Sequence, residues 1–169
     1  MEIKNKKIYF KPYNKINDNM VVIMWDYNPI TKINAKGVEI ETPLAIWQEY
    51  TFNHIPSLKE IKEVIISYYN NIIDKKILSG FVWKGMKIWL SSENQFNYKS
   101  VYDIAIQTKG ENLPVKFKFG DDENIVYYEF LELEDFSNFY RGMINYIQNT
   151  LQNGWKKKEE INWDFYKIK

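Results

Sequence analysis

The sequence predicts an α+β fold, in which a small N-terminal antiparallel β region is followed by an α-ββ-α-ββ-α domain. Two segments start with a helix-capping pattern and continue with apolar residues at steps of three and four. Two pairs of short apolar segments are joined by turn residues, which is typical of β-hairpins. The first third instead holds runs of β-branched and aromatic residues. We therefore divide the chain into a β-rich region at residues 1–55 and the α-ββ-α-ββ-α domain at residues 56–169.

In the first third, apolar and β-branched residues predict short strands that are separated by polar turns. The predicted strands cover residues 7–11, 20–26, 38–42 and 44–52. Polar turns are expected at residues 14–19, at Asn28 and Pro29, and around Gly37. This part of the chain should form a small antiparallel sheet or a set of β-arms.

The first helix is predicted over residues 57–78. Ser57 and Glu60 have the spacing of a capping box, in which each side chain accepts a hydrogen bond from the other residue's backbone N–H. Apolar residues then recur at helical spacing, which predicts one buried face. They are Leu58, Ile61, Ile65, Tyr68 and Ile72. The helix should stop before Gly80.

A tight hairpin is predicted directly after this helix. Lys84 and Gly85 form a two-residue loop, and the glycine permits a positive φ. Pairing across this loop sets Trp83 opposite Met86 and Phe81 opposite Ile88, so that these four side chains share one face. Trp89 falls on the other face, which we expect to be partly covered as well.

Two further helices and a second hairpin complete the predicted domain. A second capping box at Ser92 and Gln95 starts a helix that ends at Gly110. Strands at residues 114–119 and 125–130 should pair, although the sequence leaves their register open. The last helix begins near Glu132 and ends near Gly154, before a run of lysines that complements the helix dipole.

Composition excludes several classes of function. The net charge is only +1 and Arg141 is the single arginine, which disfavours binding to nucleic acid. The chain has no cysteine and no apolar stretch long enough to span a membrane, so we expect a soluble protein without thiolate chemistry. No nucleic-acid or membrane partner is predicted.

Few residues are candidates for catalysis or metal binding. His54 is the single histidine, and it is more often a structural or surface residue than a catalytic base or ligand in such a setting. The acidic loop at residues 120–124 offers carboxylates to a cation, but it lacks the EF-hand spacing and fits a solvated hairpin turn better. We therefore predict no enzyme, no cofactor and no metal.

The many aromatic residues predict either a protein contact surface or a stacking platform for a sugar or a nucleic acid. Core and interface packing explains these aromatic residues better than a stacking platform does, and the stripe that runs from Phe136 to Trp155 is first of all a core face. Trp47 is a further candidate for a stacking platform. The candidate interface residues are Trp83, Met86, Trp89, Phe136, Tyr140, Met143, Ile147 and Trp155.

Three stretches resemble a domain of unknown function that is found in tailed bacteriophages, typically crAss-like phages of gut Bacteroidales. They are residues 56–62, 78–86 and 89–98, and the similarity continues at residues 113–115, 117–120, 149–151 and 154–155. Members of that family recur in virion and tail-fibre-associated proteins and in fibre-assembly proteins. The resemblance covers residues 50–166 and carries no catalytic residues.

The resemblance implies a non-enzymatic virion structural or adaptor protein, associated with head or tail fibres and acting as a homodimer or another symmetric oligomer. The implied partners are other virion proteins, with residues 1–55 as the attachment region. The implied location is the virion, after synthesis in the host cytoplasm. Two alternatives are a tail-fibre assembly chaperone that is absent from the finished virion, and a glycan-binding module that recognises the host surface.

Overall fold

A computed structural model describes residues 3–5, 11–121 and 123–168 of the chain. The fold is mixed α and β with antiparallel sheets, which confirms the predicted α+β class. The chain divides into two compact units. Unit 1 comprises Met1–Tyr68 together with Glu160–Lys169, and unit 2 comprises Tyr69–Glu159. These units divide the chain inside the first helix, whereas the sequence analysis divides it at residue 55.

Unit 1 contains a four-stranded antiparallel sheet in the order β1-β4-β3-β2. Its strands are β1 (Ile3–Asn5), β2 (Tyr13–Asn17), β3 (Met20–Ile33) and β4 (Glu39–Phe52). The first half of helix α1 (Leu58–Ser79) and a 3-10 turn (Trp163–Tyr166) complete the unit. Tyr68 meets Trp25 edge-on at 5.4 Å between ring centroids, and Tyr166 Oη donates to the Met24 carbonyl at 2.9 Å. These contacts join the helix and the C-terminal turn to β3.

The strands of unit 1 are longer than predicted. The polar turn predicted at residues 14–19 is wrong, because β2 occupies most of it and pairs with β3. The prediction of a turn at Asn28 and Pro29 is also wrong, because β3 continues through these residues with a β-bulge. Asp26 adopts a positive φ of 54° there, and Asn28 Nδ2 donates to its carbonyl at 2.7 Å. The strand predicted at residues 7–11 lies, apart from Lys11, outside the described residues.

Unit 2 contains two hairpins, the second half of α1 and two further helices. In chain order the elements after α1 are β5 (Phe81–Trp83), β6 (Met86–Ile88), α2 (Ser92–Gln107), β7 (Val115–Phe119), β8 (Val126–Phe130) and α3 (Leu133–Glu159). Their apolar faces meet in one core, whose buried members are Phe81, Ile88, Leu90, Tyr98, Ala105, Phe119, Phe130, Phe136, Phe139 and Met143. The predicted α-ββ-α-ββ-α order is confirmed.

The first hairpin has the predicted register. Phe81 pairs with Ile88 and Trp83 pairs with Met86. Lys84 and Gly85 both have positive φ, at 46° and 79°, as a type I′ turn requires. Since this turn type matches the twist of paired strands, two loop residues were enough to specify the pairing.

The helices follow the predicted signals with three corrections. The N-cap of α2 is Ser91 and not Ser92, because Ser91 Oγ accepts from the Asn94 N–H at 3.2 Å. The buried face of α1 runs at strict steps of four, so that Tyr69 and Ile73 are buried where Tyr68 and Ile72 were predicted. Gly154 lies inside α3 and does not end it.

Gly154 is a point of close approach between α3 and α1 within unit 2. A Cβ atom at this position would overlap with Ile73 Cδ1 and Ile73 Cγ1. Ile73 is itself buried, so it has little room to move. The glycine is therefore needed for space, although it weakens the helix by about 1 kcal/mol relative to alanine.

This contact predicts opposite effects for two glycines of the same helix. Gly154→Ala should lower the free energy of unfolding by about 1–3 kcal/mol, because the overlap with Ile73 outweighs the gain in helix propensity. Gly142→Ala is the matched control: its Cβ would meet Phe81 Cζ at 3.6 Å, an ordinary contact. It should raise the free energy of unfolding by about 0.5–1 kcal/mol. Urea unfolding of both variants measures this, and a stabilising Gly154→Ala would contradict it.

Candidate functional site

The far end of the β3–β4 hairpin is an exposed ribbon, which we call the β-arm (residues 29–44). Lys32 pairs with Ile40 and Ile33 pairs with Glu39 near its tip. The turn is closed by Asn34, whose Oδ1 accepts from the backbone N–H groups of Lys36 at 2.9 Å and Val38 at 3.1 Å. The β-arm is therefore a defined hairpin and not a loop.

Apolar side chains of the β-arm are exposed to solvent. Ile33 is 75% exposed and Val38 is 55% exposed. Among the described residues, the sheet's other strands pair with β3 and β4 only outside the tip, where β1 reaches Leu44 and β2 reaches Ile23. An apolar ribbon with a sheet edge left open is a template for another strand. This arrangement fits the β-arms that the sequence analysis expected.

The structure places the predicted interface residues of α3 in different environments. Phe136 and Met143 are buried in the core of unit 2 and fill it within one chain, so they do not form a contact surface. Tyr140 and Ile147 are half-buried and pack against the same core. Only Trp155 of this stripe is exposed, at 48%.

The predicted interface residues of the first hairpin also divide between core and surface. Trp83 and Met86 are half-buried and pack against the core. Trp89, directly after β6, is 51% exposed, and Val82 on β5 is 54% exposed. About half of each of these two side chains is covered, in keeping with the expectation that this second face is partly covered. The outward face of the hairpin is an accessible surface.

Trp89 lines a groove of unit 2, which we call the Trp89 groove. Its volume is about 710 Å³. The lining residues are Ser79, Lys87, Ile88, Trp89, Asn94, Lys118, Gly120 and Asp121. The backbone N–H of Gly120 donates to the Lys87 carbonyl at 2.8 Å, which holds the two hairpins together along the groove. The sequence alone made Trp89 a candidate interface residue, and it drew attention to the acidic loop, which holds Gly120 and Asp121. The other polar lining residues were not candidates.

Three polar side chains form a closed cluster beside the first hairpin. Lys84 Nζ donates to Tyr128 Oη at 2.6 Å and to Asp135 Oδ1 at 2.7 Å, and Tyr128 Oη donates to Asp135 Oδ2 at 2.5 Å. These bonds raise the pKa of Lys84. Partial burial opposes ionisation of Asp135, but the hydrogen bonds from Lys84 and Tyr128 outweigh it and lower the pKa of that carboxyl. A lysine held protonated is a poor base or nucleophile, so the cluster fastens the turn, β8 and α3 together.

His54 lies at the surface beside the start of α1. Its Nε2 is 2.8 Å from Glu60 Oε1. Glu60 closes the predicted capping box, since its Oε2 accepts from Ser57 N at 2.8 Å and from Ser57 Oγ at 2.7 Å. His54 therefore sits next to a helix cap, in keeping with a structural role.

The acidic loop forms a hairpin turn. Gly120 has a positive φ of 87°, and Asp121 Oδ1 accepts from the Asn124 backbone N–H at 2.9 Å. Asp121 also pairs with Lys87 Nζ at 3.5 Å. Within the described ranges, no three His, Asp or Glu side chains are placed to hold a metal ion. No helix in the described part of the chain combines the length and apolar character needed to cross a membrane.

Comparisons of the sequence and the structure with known proteins find no matching family model, no similar curated protein and no similar solved structure. The resemblance to the phage domain therefore stays a prediction.

The helix cap at Glu60 predicts a pH dependence of stability. Hydrogen bonds from the Ser57 side chain and backbone, and then from His54, lower the pKa of Glu60 from its ordinary value of 4.5 to about 2. A carboxyl with a lowered pKa stabilises the fold above its unfolded pKa and loses this effect as the pH falls through its folded pKa. Glu60→Gln should therefore lower the thermal midpoint at pH 7, and the difference from the wild type should shrink between pH 4.5 and about 2.

The matched control is Glu63→Gln, one turn further along α1. Glu63 is exposed, and within the described ranges its one ion pair is with Lys59, at 3.9 Å. Its substitution should leave the thermal midpoint nearly unchanged, both at pH 7 and between pH 4.5 and about 2. Equal pH profiles for the two variants would show that the cap does not contribute in this way.

Proposed function

We propose that this chain is a non-enzymatic structural or adaptor protein of a bacteriophage virion, associated with head or tail fibres. It docks onto neighbouring virion proteins through the β-arm and forms a symmetric oligomer. Its place of action is the virion, after synthesis in the host cytoplasm. The observation that carries this proposal is the exposed apolar β-arm with Ile33 at its tip.

The β-arm supports docking for an energetic reason. A two-stranded ribbon in water is only marginally stable, and an exposed apolar edge promotes association. Addition of a strand from a neighbour would pair the open backbone groups and cover Ile33 and Val38. A second copy of the chain offers such a strand, because a twofold axis lets each arm complete the other.

Two further observations fit this proposal. The closed Lys84, Tyr128 and Asp135 cluster satisfies its polar groups internally, as expected for a rigid scaffold. The resemblance to virion and fibre-associated proteins supplies the biological setting. A fibre-assembly chaperone shares both features and differs in whether it remains in the particle.

Quantitative mass spectrometry of purified phage particles tests the virion role. A fixed ratio of this chain to the capsid protein would support a structural or adaptor protein. Abundance in infected cells together with absence from purified particles would refute it in favour of the assembly chaperone. Absence from both would refute the phage assignment.

The β-arm itself is tested by one substitution. Ile33→Asp places a charge on the exposed tip and should weaken self-association by roughly tenfold, because it would desolvate a carboxylate in the interface. Sedimentation equilibrium of the full chain measures this. Ile16→Asp is the control, since Ile16 is also an exposed isoleucine, at 53%, but lies on β2 outside the β-arm.

Both variants should keep the wild-type thermal midpoint, because both side chains are exposed. A wild-type chain that stays monomeric at every concentration would rule out the symmetric oligomer. Equal weakening by both substitutions would show that the β-arm is not the interface.

A further inference from the structure

The Trp89 groove is a second surface that the proposed docking role does not use. It lies entirely within unit 2, whereas the β-arm belongs to unit 1. Its volume of about 710 Å³ falls within the range of about 300–1,000 Å³ that is typical of small-molecule sites. The groove combines one exposed aromatic ring with charged and polar groups, so its ligand can be argued from chemistry.

The Trp89 ring is held outward by its neighbours. Ile88 and Leu90 on either side are both 1% exposed and belong to the core. The Leu90 N–H donates to the Leu78 carbonyl at 2.8 Å, and the Trp89 carbonyl accepts from Asn94 Nδ2 at 2.8 Å. The backbone is thereby fixed on both sides of Trp89, and half of its surface faces solvent. A flat apolar ligand face meets a preorganised platform at little entropic cost.

Among the described charges around the groove, one lysine is free to pair with a ligand. Lys87 pairs with Asp121, whereas Lys118 has no ion-pair or hydrogen-bond partner among the described residues. Asn94 uses Nδ2 for the Trp89 carbonyl, and its Oδ1, which has no partner in the described part of the chain, can accept from a hydroxyl. The groove therefore offers one positive charge, hydrogen-bonding groups and an aromatic face.

We propose that the Trp89 groove binds a sugar residue that carries one carboxylate. The apolar face of the sugar ring stacks on Trp89, the carboxylate pairs with Lys118, and hydroxyl groups bond to Asn94 and Asp121. A nucleotide fits less well, because its phosphate would bring up to two negative charges next to the Asp121 carboxylate and would find no arginine there. This inference is independent of the β-arm and of its oligomer.

Isothermal titration of the full chain with glucuronate, glucose and AMP tests the ligand class. Glucuronate should bind roughly tenfold more tightly than glucose, because only glucuronate forms the charged bond to Lys118. Equal affinity for glucose and glucuronate would overturn the acidic class. Absence of glucuronate binding, or tighter binding of AMP, would overturn the proposal itself.

Matched variants test the location. Trp89→Ala should weaken glucuronate binding roughly tenfold through lost stacking, whereas Trp155→Ala, which removes a comparably exposed tryptophan outside the groove, should leave it unchanged. Lys118→Ala should reduce the affinity for glucuronate to that for glucose. Lys116→Ala is its control, since Lys116 lies on the same strand and pairs with Glu129 at 3.7 Å.

Circular dichroism of each variant shows whether it is folded, and the lysine pair keeps the test decisive if Trp89→Ala does not fold. Equal losses from Trp89→Ala and Trp155→Ala, or from Lys118→Ala and Lys116→Ala, would show that the sugar does not bind in this groove.

Discussion

The packing of Phe139 is the interaction on which the rest of unit 2 depends. Its ring lies 6.0 Å from Phe81, 5.3 Å from Tyr98, 5.4 Å from Phe119 and 5.2 Å from Phe130 between centroids. One side chain of α3 therefore contacts β5, α2, β7 and β8 together, and it is fully buried. Aromatic pairs in such geometries contribute about 0.5–1.5 kcal/mol each beyond their burial. This cluster also holds the outward residues of unit 2 in place, because they alternate with inward residues that pack there.

Local signals in the sequence were enough to predict the start of α1 and most elements of unit 2. Ser57 and Glu60 are three residues apart and cap α1 through each other's side chains and backbone N–H groups, so this signal does not depend on distant residues. Lys84 and Gly85 likewise determine the pairing of Phe81 with Ile88 through the turn alone. Elements that are defined by neighbours in the chain can be predicted from the chain.

Features that depend on distant residues were not predicted. The helical spacing after Phe136 permits both Phe139 and Tyr140, and the predicted stripe follows Tyr140, while Phe139 occupies the centre. Asn28 and Pro29 are typical turn residues, yet pairing with β4 carries β3 through them. The same limit applies to the Trp89 groove, whose lining comes from two helices, two hairpins and the segment between them. Alternation shows that Lys118 faces outward but does not show which other side chains share its surface.

The division of the chain into units has a consequence for the order in which they fold during synthesis. Unit 2 is one continuous stretch, Tyr69–Glu159, whereas unit 1 takes its final residues from Glu160–Lys169. The ribosome makes the chain from its N-terminus, so every residue of unit 2 has been synthesised before Tyr166 is added. The bond from Tyr166 to the Met24 carbonyl joins the last part of the chain to a strand near its beginning. The unit that is synthesised first is therefore completed last.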